Sequence, residues 1–466
     1  MLKRSIDRKL KKWKDKEEHH PLILTGLRQI GKTFSVRQFG KENYENVVYM
    51  DLRSGRSLHN VFSGDFDVDK MVSRITVNIL DAKFIPGKTL VIMDEIQDCP
   101  NARSSLKYWD LDGRYDVIAT GSFLGVKGFR KPYERGIPVG YEEHMIMYPL
   151  TFREFLDNYG MPADILDYVQ NCMSTHSTID KAIHQRMGEL YYEYLIVGGM
   201  PEAVNEFFKH HDLNAVRNIQ QRIITSLKAD FGRYIDSKGN EAVNEALKLR
   251  AEACLDSLPA QLSKEYKKFQ YSKVESKAHA EDKADALQYL VDLGLVIKSY
   301  NLREISSPLE SAKINNEYKA FFSDTGLLIS QLGIDAARSV LNGDLGAYKG
   351  AIAENMVAVG FHCNGQNTYY YRGTSGSPEL DFVTNLNHTE TIIECKSNRG
   401  RPTSMKYVLA HPEKYGTHPA IKISDTNMGE GIGFKTYPIY FCGFIEEKSE
   451  SLIIPSHTFS DLSVPL

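Results

Sequence analysis

Residues 26 to 33 read GLRQIGKT, a glycine, four residues, then Gly-Lys-Thr. This spacing suits one kind of chemistry, the holding of a chain of phosphates. Glycines at Gly26 and Gly31 let the backbone curl so that its N–H groups surround an anion. A helix beginning there adds the positive end of its dipole. Lys32 would neutralise the β- and γ-phosphates, and the Thr33 hydroxyl would hold Mg²⁺. The stretch Gly26, Leu27, Arg28, Gln29, Ile30, Gly31, Lys32, Thr33 and Phe34 is therefore the expected binding loop for ATP with magnesium.

Two further segments carry the groups such a site needs. Residues 90 to 95 read LVIMDE, an apolar run closed by two acids. Asp94 suits the second magnesium contact, and Glu95 suits the position that polarises an attacking water. The segment DVIATGSFLG brings Thr120 and Ser122 to the end of another apolar run. Lying between the loop and the acidic strand, these would sense the γ-phosphate by hydrogen bonding. The reading as a simple turn at Gly121 stands beside it.

A second constellation lies near the C-terminus. Glu354 sits in the apolar helical stretch GAIAENMVAVGF, Asp381 in PELDFV, and Glu394 with Lys396 in IIECKS. Residues two apart in a strand face one side, so Glu394 and Lys396 point together. With Asp381 from a neighbouring strand, the carboxylates could hold a second Mg²⁺ or Mn²⁺ while Lys396 orients a water. Glu379 could be an accessory acid. The order helix Glu, then Asp, then E-x-K resembles the PD-(D/E)XK nuclease superfamily. The competing reading is an inactive version of that fold with the acids in salt bridges. The basic run Lys396, Arg399, Arg401 could touch phosphates or be a solvated loop.

These groups need elements to position them. Short apolar runs at 21–25, 47–51, 89–94, 116–120 and 144–148 alternate with helical stretches, as in a doubly wound parallel sheet covered on both faces. From Thr151 the pattern turns helical, with Thr151 as N-cap and Glu154 as its capping-box partner. Residues 240–300 end in a helix, a glycine and a β-rich run, resembling the recognition helix and wing of a winged-helix domain. Beyond Gly346 come a helix and strands at 368–372, 380–384, 391–396 and near 437–444. The expected division is a sheet domain at 1–150, a helical lid at 151–235, a winged-helix-like part at 236–335 and an α/β nuclease-like domain at 336–466.

Composition sets outer limits. The 466 residues carry a net charge of −3, so nucleic-acid binding would need a local basic patch. Residues 1 to 16 hold eight Lys or Arg against two Asp, and Leu2, Ile6, Leu10 and Trp13 share one helical face. A packed amphipathic helix with a solvated basic side is the ordinary reading; a nucleic-acid-binding arm is the alternative. The six cysteines form no C-x-x-C pair, and neither a zinc site nor a disulfide framework is expected. The paired histidines His19-His20 and His210-His211 lack partners at ligand spacing. No apolar run approaches the roughly 18 residues that span a membrane, and the charged N-terminus lacks a signal-peptide core, so a cytoplasmic location is expected.

GLRQIGKT, LVIMDEIQ, IATGSFLG and YPLTFREF together resemble a family of bacterial and archaeal AAA-type ATPases. The later stretches GGMPEAV, FFSDTGLL, ELDFV and IIECKS match the same family, which carries a C-terminal domain of unknown function. The resemblance implies an N-terminal ATPase domain. It also implies an Arg or Lys after a glycine just before YPLTF. Here that segment is Pro138-Val139-Gly140-Tyr141, which lacks the cation, and Arg130 and Arg135 are the nearby substitutes. Three functions follow as expectations: an ATPase acting as a nucleotide-driven switch, an ATP-gated metal-dependent DNA nuclease, and an ATP-regulated DNA- or protein-binding module.

Overall fold

A computed structural model describes residues 2–122, 140–235, 241–264, 268–274, 279–342, 349–373, 378–396 and 400–445. Arg130, Arg135 and Arg399 lie outside them.

The apolar runs of the first part become β1 (Leu22–Thr25), β2 (Asn46–Asp51), β3 (Thr89–Asp94), β4 (Asp116–Gly121) and β5 (Glu143–Ile146). They form one parallel sheet in the order β2-β3-β4-β1-β5. Strand periodicity explains why the runs are apolar throughout. Leu22, Leu24, Leu90, Ile92 and Ile118 face one buried cluster, while Ile23, Val91, Met93, Val117 and Ala119 face another. Helices α1 (Ser5–Lys14) and α2 (Lys32–Asn43) cover the first face through Ile6, Leu10, Trp13, Val36 and Phe39. Helices α3 (Val68–Asn78) and α4 (Pro100–Asp112) cover the second through Met71, Ile75, Leu106 and Trp109. The N-terminal helix thus packs by its apolar face and leaves Arg8, Lys9, Lys11 and Lys12 exposed.

Helices α5 (Phe152–Tyr159), α6 (Ala163–Thr175), α7 (Lys181–Val197), α8 (Pro201–His210) and α9 (Leu213–Ala229) follow. The capping box is present: Glu154 N–H donates to Thr151 Oγ1 at 3.2 Å, and Thr151 N–H donates to Glu154 Oε2 at 2.9 Å. A short antiparallel hairpin, β6 (Arg233–Ile235) and β7 (Glu241–Val243), leads to α10 (Glu245–Leu262) and α11 (Ala280–Asp292).

The second sheet has eight strands in the order β14-β15-β13-β12-β11-β10-β8-β9. They are β8 (Val296–Leu302), β9 (Lys313–Phe322), β10 (Thr368–Arg372), β11 (Glu379–Leu386), β12 (Thr389–Lys396), β13 (Ala420–Ser424), β14 (Gly429–Gly431) and β15 (Phe434–Pro438). The run read as a wing is β8, which pairs antiparallel with β9 and parallel with β10. It is therefore an interior strand of a mixed sheet. The strand expected near 437–444 stops at Pro438 and continues as a 3₁₀ turn over Ile439–Phe444. A proline has no N–H to give to a ladder, so the strand ends there.

A buried carboxylate explains two of the sequence motifs. Asp324, in FFSDTGLL, accepts from Gly199 N–H of GGMPEAV at 2.6 Å and from Leu327 N–H at 2.9 Å. A Cβ at Gly198 would collide with that carboxylate, and its φ of +71° also favours glycine. Asp324 so caps α12 (Thr325–Leu332) and pins the turn before α8.

Candidate functional site

The glycine loop GLRQIGKT runs from the end of β1 into α2. Gly31 (φ +93°) and Gln29 (φ +65°) take left-handed conformations that let the loop curl back. A Cβ at Gly26 would strike the carbonyl of Met147, so only glycine fits beside that chain segment. Lys32 is 7% exposed, and its Nζ donates to the carbonyls of Gly26 at 2.9 Å and Leu27 at 2.8 Å. Burial lowers its pKa to about 8, against the attraction of Glu95 and Asp94, and Arg28 lowers it further. Thr33 is at the same helix start, while Phe34 beside it is 56% exposed.

The acids close the far side of the site. Thr33 Oγ1 lies 2.9 and 3.0 Å from the two Asp94 carboxylate oxygens. Thr120 Oγ1 also donates to Asp94 Oδ1 and accepts from Glu95 N–H at 3.4 Å. Glu95 leaves β3 in a left-handed conformation (φ +53°), and Gln97 Nε2 holds its carboxylate. Ser122 is buried just beyond β4, the last described residue before 140. Residues 26–34, Asp94, Glu95 and Thr120 therefore meet at one end of the parallel sheet. The hydroxyl and carboxylate oxygens converging at Thr33 and Asp94 are hard donors of the kind magnesium takes, with phosphate and water completing its shell. The fit of these residues to Mg²⁺ rests on that contact.

Contacts not legible in the sequence frame the loop. Tyr49 on β2 donates its hydroxyl to Asp94 Oδ2 at 2.7 Å. Arg4 donates to the carbonyls of Ile30 at 3.0 Å and Tyr148 at 2.6 Å, and pairs with Glu154 at 3.4 Å. Arg28 forms an ion pair with Asp230 just past α9, and Gln29 Nε2 donates to Ser226 Oγ at 3.3 Å. The stretch expected as a lid thus touches the loop itself. Tyr141, where the resemblance implies a cation, lies under Lys107 Nζ, 5.0 Å from the ring centroid.

The C-terminal acids also converge. Asp381 and Glu394 lie on the paired strands β11 and β12, and Lys396 Nζ is 3.7 Å from Asp381 and 3.6 Å from Glu394. Asp381 Oδ2 also accepts from Cys395 N–H at 2.9 Å. Glu354, on α13 (Lys349–Cys363), meets Lys319 Nζ at 3.2 Å, and Glu379 meets the same ammonium at 3.3 Å. Lys319 comes from β9, is 1% exposed, and belongs to no motif in the sequence. Burial alone would lower its pKa; the carboxylates of Glu354, Asp381 and Glu379 reverse this and hold it charged. Burial raises the Glu394 pKa to about 7, and the Asp381 charge adds to that while Lys396 opposes it. Each pair of acids thus shares a lysine. Among the described residues, no three His, Cys, Asp or Glu side chains are arranged to hold a metal. No described helix is long and apolar enough to cross a membrane.

Comparison with known proteins finds a family match over the region that carries the first site. Residues 18–156 match the family described as an AAA domain. Residues 188–338 and 349–441 match two domains of unknown function, DUF8612 and DUF4143. No match is found among the curated proteins. Among solved structures the chain is similar to the ORC1 protein of Aeropyrum pernix in complex with DNA. Identity is 12% over 74% of this chain and 93% of that one, with a TM-score of 0.28. It is also similar to CDC6P from Pyrobaculum aerophilum (14% identity, 73% and 93% covered, TM-score 0.24). A third similar structure is the Aeropyrum pernix ORC2 protein in its ADP form (12%, 73% and 93%, TM-score 0.27). The N-terminal part of the chain is an AAA-type P-loop domain.

Proposed function

We propose that this chain binds ATP with magnesium at residues 26–34 and hydrolyses it as a conformational switch. The observation that carries the reading is the direct contact of Thr33 with Asp94, 2.9 and 3.0 Å, at the mouth of a glycine loop. In this reading Lys32 exchanges its two carbonyl partners for the β- and γ-phosphates. Thr33 and Asp94 hold the metal, which when bound neutralises charge building on the phosphates. Glu95, its carboxylate held by Gln97, orients the attacking water. Thr120 and Ser122 read the γ-phosphate, since Thr120 already bridges Asp94 and the Glu95 N–H. The state of the loop reaches residues 151–235 through Arg28 with Asp230 and Gln29 with Ser226.

Binding of a fluorescent ATP analogue tests the reading. Lys32→Ala removes the phosphate-facing ammonium and is expected to abolish binding. Glu95→Gln is expected to bind normally and to hydrolyse about a hundredfold more slowly, the scale of a lost general base. Retained affinity in Lys32→Ala would falsify the assignment. Turnover with and without DNA then distinguishes the partner class: stimulation places DNA downstream, and an unchanged rate favours a protein.

A further inference from the structure

Asp94 receives three hydroxyl groups, from Thr33, Thr120 and Tyr49. The first two belong to the motifs that define the site. Tyr49 belongs to none of them. It lies on β2, opposite Ile92 in the parallel register, so Asp94 is two residues further along on the same face of β3. That diagonal is within reach of an aromatic side chain but not of a short one. The Tyr49 hydroxyl closes the distance to Asp94 Oδ2 at 2.7 Å.

The ring is held as well as the hydroxyl. The guanidinium of Arg37 sits 4.6 Å from the Tyr49 ring centroid. Arg37 is one turn beyond Thr33 on α2, so the two share a helix face. Thr33, Asp94, Tyr49 and Arg37 therefore form a closed circuit that begins and ends on the helix of the phosphate loop.

An aspartate rotates softly about its last bond, because that torsion has broad minima. Thr120 engages Oδ1 and Tyr49 engages Oδ2, so both oxygens are fixed from outside while Thr33 approaches between them. We propose that Tyr49 is the positioning residue of the magnesium site, setting the rotation of the Asp94 carboxylate toward Thr33. The proposal rests on the nucleotide reading above and adds to it the residue that tunes metal affinity. Partners of this kind typically hold about 10–100-fold of a site's metal affinity.

The test is Tyr49→Phe, which deletes the hydroxyl and keeps the ring against Arg37. A fluorescent ATP analogue is titrated in EDTA and then with increasing Mg²⁺, in wild type and variant, with thermal unfolding recorded beside it. The expected result is unchanged affinity in EDTA and about a tenfold rise in the Mg²⁺ needed for the half-maximal effect. A role confined to stability would lower the melting temperature and leave the Mg²⁺ requirement at the wild-type value, and that result overturns the proposal. If wild type itself binds no ATP in either condition, the nucleotide reading fails first. If wild type responds to Mg²⁺ and Tyr49→Phe responds at the same concentration, only the role of Tyr49 fails.

Discussion

Lys32 holds two loop carbonyls with a side chain whose pKa burial has lowered to about 8. A lysine depressed in the folded state is less willing to carry its proton there than when unfolded. From this group alone, stability rises with pH between about 8 and the ordinary lysine value. Phosphates reverse the preference, because they favour the ammonium. ATP binding near pH 8 is therefore expected to take up a proton, and affinity should fall as pH rises above 8. Calorimetry in buffers of different ionisation enthalpy reads the uptake directly, and no buffer dependence would contradict it. Glu394 has the opposite sign: its pKa rises to about 7, so its contribution to stability is complete in acid and is lost as pH climbs towards 7. Glu394→Gln should flatten the pH dependence of the melting temperature in that window. The loop and the acids of LVIMDE were legible because each is a contiguous string of residue types. Tyr49 was not, since its partner lies 45 residues away on another strand and its own neighbours are plain apolar strand.

Elements were read most reliably where a boundary residue carries its own chemistry. Thr151 with Glu154 marked the start of α5, and the strands of the parallel sheet follow their apolar runs to within a residue or two. The stretch Tyr437–Phe444 misled because aromatic β-formers continue past Pro438, and the proline's missing donor outweighed them. The junction of the loop with α9 left no periodic signal at all: Arg28 and Asp230 are far apart in sequence and ordinary as residue types. Their pairing makes a measurable claim about how two elements communicate. A double-mutant cycle with Arg28→Ala and Asp230→Ala should give a coupling energy of about 1 kcal/mol in urea unfolding, since both side chains are only partly exposed. The same cycle on ATP affinity should also be non-additive. Additive effects in both measurements would mean that the contact conveys nothing.

At the scale of the whole molecule, the eight-stranded sheet draws β8 and β9 from the region of one sequence family and the remaining strands from another. Lys319 on β9 sits at that seam between Glu354 and Glu379. Removing a buried partner is costlier than never having the pair, because an uncompensated charge stays behind. Lys319→Met is expected to destabilise the protein by about 3–5 kcal/mol, and Lys319→Met with Glu354→Leu by clearly less. Equal losses in the two variants, measured by urea denaturation, would show that the charge pairing is not the source. The same apolar interior also runs from the AAA part into the C-terminal end, where the Phe152 ring lies 6.5 Å from Tyr440 and 6.3 Å from Phe444. Such a seam restricts inheritance. The three sequence families cannot be exchanged between lineages as free-standing cassettes, because each exchange would break a shared interior. Positions 152, 440 and 444 should therefore drift together across relatives, with a smaller ring at one offset by a larger one at another.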